Sequence, residues 1–263
     1  MGAFWLRKWY LDAVSEDARV WIVYCADLRL GPLRVRCESV LESARGSPVR
    51  TRTRMGGEEP VEAGGVISWS SRSLGVGGRW KAECAGVKRT LLESEEGSVV
   101  WDCRVPRAEA VLRTEAGTVR ARGYAEVMEM TIPPWKLPIS ELRWGRAVGE
   151  SGSAVWIDWR GERPLTRVFF DDREVPGATV CDDEVKVPGF DVKLASERVL
   201  RDGPIGTTAL AAIPGIESWA PAALLAAHET KRLGRASCGA PLTGEVWSGW
   251  AVYEVVRFQG RGA

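Results

Sequence analysis

The sequence has no asparagine and one glutamine, Gln259. Avoidance of thermolabile amides fits a heat-adapted source; GC-rich coding, which also favours arginine over lysine, fits equally well. Histidine occurs once, at His228. A multi-histidine metal centre is therefore excluded, and a histidine-based triad could draw on this residue alone. The six cysteines, at 25, 37, 84, 103, 181 and 238, form no CxxC pair, which removes the usual zinc and dithiol motifs. They read as small core residues, and neither a metal nor another cofactor is expected. No apolar run approaches the ~20 residues of a membrane helix. The start, MGAFWLRKWY, carries charge where a signal peptide needs an unbroken apolar stretch. These absences predict a cytoplasmic protein without an integral membrane span. A net charge of +1 and the lack of basic runs leave nucleic acid out as a partner. Gly75-Val76-Gly77-Gly78 lacks the Lys-Ser/Thr that a phosphate loop requires.

What the chain does have is tryptophan, thirteen of them, and an echo. Val20-Trp21-Ile22 returns as Val155-Trp156-Ile157, and at the same offset Lys8-Trp9 falls on Arg143-Trp144 without a gap. The halves also end alike, Gly123-Tyr124-Ala125-Glu126-Val127 against Gly249-Trp250-Ala251 and Tyr253-Glu254-Val255. This pattern predicts an internal duplication of roughly 130 residues, with domains at 1–134 and 135–263. Each unit reads as short alternating strands separated by turn residues: 19–25, 33–41, 65–70, 79–84, 98–105, 110–113 and 119–130, then 154–159, 166–170, 185–187 and 249–258. Strands at this spacing predict an antiparallel barrel or sandwich. Glu115-Ala116-Gly117-Thr118 predicts a hairpin turn. The segment 46–65 reads as a mobile surface loop. One helix is expected, starting at Pro221 and running through Ala222–Leu233 to Gly234, with His228 on it.

Strand alternation places Tyr124, Glu126, Met128 and Met130 on one face, and Trp250, Val252, Glu254 and Val256 on another. Glu126 and Glu254 therefore each interrupt an apolar row. Such an acid costs free energy unless paired or protonated, and a protonated one is a candidate general acid. The plainer reading is a structural pair with an arginine such as Arg143 or Arg257. Asp158 is of the same kind, since the first half carries Val23 at that place. Among the tryptophans, 9, 21, 144, 156 and 159 occupy repeat positions and read mainly as core. Trp135, Trp247 and Trp250 lie near junctions or strand ends, where an indole lines a pocket.

The blocks Gly123–Glu126, Pro134-Trp135 and Leu142-Arg143-Trp144-Gly145-Arg146-Ala147, with the opening Trp9-Tyr10-Leu11-Asp12-Ala13, resemble the lipocalin-like superfamily of carotenoid 1,2-hydratases and AttH-like proteins. Some members of that group act as pericyclases. The resemblance implies an all-β fold of two tandem lipocalin-like (calycin) antiparallel barrels or half-barrels, and a hydrophobic small molecule as partner. Of the hydratases' Tyr-His-Asp-His-Asn-Trp-Gly motif, only Tyr124 and Glu126 have counterparts here, which implies altered substrate or chemistry. On this reading Glu126, with Tyr124, Asp158 and Glu254 as further catalytic candidates, acts on a polyene or isoprenoid-like molecule by alkene protonation or templated rearrangement. The activity would be of hydratase, cyclase, isomerase or pericyclase type. Trp135, Arg143, Trp144, Trp247 and Met128 would line the ligand site. Two alternatives use the same residues: a non-catalytic carrier of lipid or pigment, and a structural protein whose barrels are filled by the tryptophans.

Overall fold

The computed structural model describes residues 4–239 and 246–258. It divides into two compact units, Met1–Pro133 and Pro134–Ala263. Unit 1 holds strands β1 (Phe4–Val14), β2 (Val20–Leu30), β3 (Leu33–Ser43), β4 (Arg50–Met55), β5 (Val61–Ala63), β6 (Val66–Ser71), β7 (Val76–Ala82), β8 (Val87–Ser94), β9 (Gly97–Thr114) and β10 (Gly117–Met130). Unit 2 holds β11 (Glu141–Gly149), β12 (Ser153–Arg160), β13 (Leu165–Phe170), β14 (Arg173–Glu174), β15 (Thr179–Val180), β16 (Glu184–Val187), β17 (Phe190–Pro204), a single helical turn α1 (Ala222–Leu225), β18 (His228–Gly239) and β19 (Val246–Arg257). No helix among the described residues is long and apolar enough to cross a membrane.

Both sheets are antiparallel and follow one plan. Unit 1 runs β4-β3-β2-β1-β10-β9-β7-β6-β5, with β8 paired to β9 off this path. Unit 2 runs β14-β13-β12-β11-β19-β18-β17-β16-β15. In unit 1, β3 and β6 lie six strand spacings apart, about 29 Å in a flat sheet. Ser71 of β6 nevertheless hydrogen-bonds Glu38 of β3, so the sheet curls into a half-barrel. Its inner side is packed solid by Trp9, Trp21, Trp69 and Trp80 with Leu11, Val23, Ile67 and Leu112. The inner side of unit 2 is filled by Trp156, Tyr253, Val168, Val192 and Cys238. The fold is thus all-β, two tandem lipocalin-like domains, and the interior of each is side chain rather than void.

Two expectations about local structure are corrected. The helix expected over 222–233 survives only as the turn 222–225; His228 begins a strand and is bonded to Asp202 at 2.9 Å. The Ala-Leu run favours helix. From His228 on, however, Glu229, Lys231 and Leu233 are buried in alternation, and β18 is laddered on both sides, to β17 and β19. Two ladders of hydrogen bonds override a weak local propensity. The segment 46–65 is no plain loop either. It contains β4, an arginine-rich strand paired to β3, and β5, paired to β6.

The repeat needs a shift in register. Trp21 and Trp156 both face their own cores, so the Val-Trp-Ile echo is structural. Trp9 also faces its core, but Trp144 does not: in β11 the core-facing residue is Ala147, three positions on. A strand reverses facing at each residue, so Trp9 and Trp144 cannot be equivalent. The cause is the first hairpin, which links Val14 to Val20 in unit 1 but Val148 to Ser153 in unit 2.

Candidate functional site

Tyr124, Glu126 and Glu254 lie on the sheet faces turned away from the two cores, whereas Arg143 and Asp158 share their strand faces with the core-lining Ala147 and Trp156. In unit 1, β10 sends Ala125 and Val127 into the core and turns Tyr124 and Glu126 the other way. Both are nonetheless buried. The neighbouring strand β9 carries two register irregularities opposite Gly123–Glu126, around Val105-Pro106. Proline has no N–H to donate to a ladder, so a bulge falls there naturally. Beyond it, Trp101 and Cys103 share a face with Glu126 rather than with the core. Trp101 Nε1 donates to Glu126 Oε2 at 2.5 Å, and Tyr124 Oη donates to the same oxygen at 2.6 Å. Cys103 is bonded to Tyr124.

On the adjoining β1, Tyr10 and Asp12 sit on that same face. Tyr10 Oη donates to Asp12 Oδ2 at 2.8 Å. The Tyr10 ring meets Tyr24 edge-on at 5.4 Å between centroids and Tyr124 at 6.0 Å. The result is one carboxyl, Glu126, held from two sides by neutral donors inside an aromatic wall. Burial raises the Tyr124 phenol well above its ordinary range, and Cys103 and Glu126 beside it push further. Burial likewise drives up the Cys103 thiol. Both remain protonated and act as hydrogen-bond donors. Gly123 lets the strands approach here: a Cβ on it would lie 2.5 Å from Trp80 Cδ1 and 2.8 Å from the Asp12 carbonyl, to which Trp80 Nε1 donates at 2.7 Å. Met128, half-buried, continues the Glu126 face and lies opposite Trp101 in the ladder.

In unit 2 the face opposite the core carries Trp144, Arg146, Glu254, Glu229 and Lys231. Lys231, 2% exposed, pairs with Glu254 and lies 3.7 Å from Glu229, with its ammonium 5.4 Å from the Trp144 ring centre. Arg201 holds Glu229 at 3.1 Å. Burial outweighs Lys231 and Arg201 at Glu229 and raises its carboxyl above the usual range. Fully buried Arg146 donates to the Trp250 carbonyl at 2.7 Å.

The remaining sequence candidates are placed as follows. Asp158 accepts from Thr166 Oγ1 at 2.6 Å and Arg160 Nε at 3.0 Å, one donor on each oxygen. The arginine partners expected for the buried acids go elsewhere: Arg143 binds Glu141 at 2.6 Å and Asp182, and Arg257 binds Glu141 at 2.9 Å. Burial opposes ionisation of Glu141, but Arg143, Arg160 and Arg257 outweigh it and hold the carboxyl below its usual value. Trp247 packs on the core of unit 2. Trp135 lies, half-buried, in a 3-10 turn, Pro134–Lys136. Within unit 1, then, the structure joins Glu126, Tyr124 and Met128 in one place. Sequence reasoning missed Trp101 and Cys103, because only the bulge turns them to this face. It also missed Lys231, which it had placed on a helix.

No family model matches the chain, and no curated protein matches it. Solved structures do. The crystal structure of CghA with Sch210972 is 11% identical over 97% of this chain and 88% of its own, at a TM-score of 0.59. Kievitone hydratase from Nectria haematococca is 12% identical over 97% and 89%, at 0.55. A putative AttH from Nitrosomonas europaea is 8% identical over 97% and 92%, at 0.55. The whole chain therefore has the lipocalin-like fold shared by these AttH- and hydratase-type proteins.

Proposed function

We propose that this protein is an enzyme of hydratase or cyclase type acting on a hydrophobic, alkene-bearing small molecule, with Glu126 as its acid. The observation that carries the reading is the geometry at Glu126: a buried carboxyl whose Oε2 is fixed by Trp101 and Tyr124, inside an aromatic wall. Fixing one carboxyl oxygen orients the group for directed proton transfer. The alkene carbon would take the proton from Glu126. In hydration, water would then bond to the neighbouring cationic carbon and return its proton to the carboxylate, so the acid is regenerated. In cyclisation, a second double bond would capture the cation and a later deprotonation would restore the acid. The rings of Tyr10, Tyr24 and Tyr124 suit a passing cation. The fold shared with kievitone hydratase and CghA supports this class of chemistry, by analogy alone. The carrier reading is disfavoured, because the half-barrel interior where a carrier would hold lipid is packed with tryptophan.

A purely structural role for Glu126 is the second reading, favoured by the two donors that already satisfy Oε2. Glu126→Gln separates the two. Wild type and variant would each be incubated with a lipid extract of the host, and the small molecules compared by mass spectrometry. Species gained or lost with wild type alone support the acid role. Identical conversion by the variant refutes it.

A further inference from the structure

At the end of unit 1 where β1 turns into β2 and β9 into β10, the half-barrel opens into a cleft of about 240 Å³. This is smaller than the roughly 300–1,000 Å³ of pockets for drug-sized ligands. Its lining is not that of an apolar carrier site: Arg19, Arg50 and Arg52 converge on it with Trp21, and Glu42 and Glu115 supply the acids. The ion pairs leave an imbalance. Glu42 is taken by Arg52 at 2.7 Å, and Glu115 lies 4.0 Å from the same guanidinium. Arg19 is occupied with Asp17 at 2.9 Å and lies over Trp21, 5.7 Å from the ring centre. Arg50, exposed on edge strand β4, forms neither an ion pair nor a side-chain hydrogen bond among the described residues. A free guanidinium presents a planar fork matched to a carboxylate. The same end of unit 2 is built otherwise: Gly149 and Gly152, flanking the β11–β12 turn, pack directly on the Trp247 indole, where a Cβ would meet the ring at 2.9 and 2.7 Å.

We propose that this cleft is a second binding site, separate from Glu126, for a small aromatic carboxylate: its carboxylate on the Arg50 fork and its ring along the part of the Trp21 indole that borders the cleft, beside Ala116. The site needs no catalytic group and stands whether or not Glu126 is an acid.

The test is fluorine NMR line broadening of para-fluorobenzoate with the full-length protein, competed by benzoate, benzamide or inorganic phosphate. We expect broadening at millimolar probe, reversed by benzoate and much less by benzamide or phosphate. Arg50→Ala weakens binding about tenfold or more, and Arg50→Lys, which keeps the charge but not the fork, falls between. Because Arg50 is exposed, loss of fold is not a competing cause, and an unchanged melting temperature verifies this. Absence of broadening, equal competition by benzamide, equal competition by phosphate, or wild-type binding by Arg50→Ala would each overturn the proposal.

Discussion

Replacing Lys231 by methionine tests whether unit 2 depends on its buried charge cluster. The ammonium is 2% exposed, pairs with Glu254, and lies 3.7 Å from Glu229, which is itself 5% exposed. Methionine keeps the volume and removes the charge. Arg201 remains on Glu229 at 3.1 Å, but Glu254 loses its partner on β18. Breaking a buried pair from one side costs about 3–5 kcal/mol, a large part of a domain stability of roughly 5–15 kcal/mol. For a unit of this size that is a fall in Tm of about 10–20 °C. The sign of the pH dependence follows from Glu229. Its folded carboxyl already titrates above the unfolded one, because burial outweighs Lys231 and Arg201. Such a group favours the folded state at low pH, and that contribution is lost as pH rises through the raised value. Removing Lys231, whose charge holds the Glu229 carboxyl down, raises it further. The penalty should therefore be larger at pH ~8 than at pH ~5, where the folded state takes up the missing positive charge as protons. Melts of both proteins at the two pH values decide the matter. A loss below about 1 kcal/mol at the higher pH, or an equal loss at both, would refute the argument, since removing one partner of a buried ion pair is not that cheap.

Other substitutions probe the geometry more locally. Gly123→Ala drives a methyl against Trp80 and the Asp12 carbonyl, and should cost about 1–3 kcal/mol in chemical denaturation. A neutral result would mean that β1, β7 and β10 are not held this closely. Asp27, hydrogen-bonded by Arg34 and close to Arg29 and Arg36, titrates below its ordinary value. Its contribution is present above the unfolded carboxylate range and fades as pH falls through the lowered value. Asp27→Asn should therefore flatten the acid limb of the stability curve, and an unchanged limb in acid titration would contradict that assignment. Gly145→Ala would place a Cβ 2.2 Å from Trp156 Cζ2 and should lower Tm more than Gly239→Ala, where nothing lies within 4 Å.

How much of this was legible beforehand depends on whether the signal was local. The alternation in Gly123–Met130 put Tyr124, Glu126 and Met128 on one face and Ala125 and Val127 on the other, but which of the two faces meets the core was decided by the structure, which turns Ala125 and Val127 inward. The Val-Trp-Ile echo announced two like sheets, because a core tryptophan at the same place in β2 and β12 is written in three consecutive residues. The ungapped extension to Trp144 failed since face depends on hairpin length, and one odd difference in a turn inverts every side chain beyond it. Trp101 and Cys103 could not be assigned to Glu126 because the bulge that turns them lies in another strand. Pro106 inside an apolar run was the one local hint of it. The strand His228–Gly239 was hidden for a different reason. Its alanine- and leucine-rich approach favours helix, and only pairing with two partner strands, distant in sequence, decides otherwise.

Glu126 and Glu254 show how a duplicated frame diverges in chemistry. Each lies on the central strand of its sheet, β10 or β19, on the face away from the core. Glu126 is met in its unit by a phenol and an indole N–H, whereas Glu254 is met by an ammonium. A glutamine keeps an acceptor oxygen but loses the charge, so the same substitution asks different questions at the two places. At Glu126 the amide oxygen still accepts from Trp101 and Tyr124. Stability should stay within about 1 kcal/mol of wild type. At Glu254 the amide takes away the charge that Lys231 pairs with on β19, while Glu229 on its own strand lies 3.7 Å away and is shared with Arg201. The cost should be about 2–4 kcal/mol. Thermal melts of Glu126→Gln and Glu254→Gln, read beside small-molecule conversion, then separate catalysis from architecture. If Glu126→Gln loses conversion but not stability, the Glu126 carboxyl is kept for its proton. If it loses as much stability as Glu254→Gln, the charge of Glu126 is structural, and the acid must be sought elsewhere on that face, with Asp12, bonded to Tyr10, as the next residue to change.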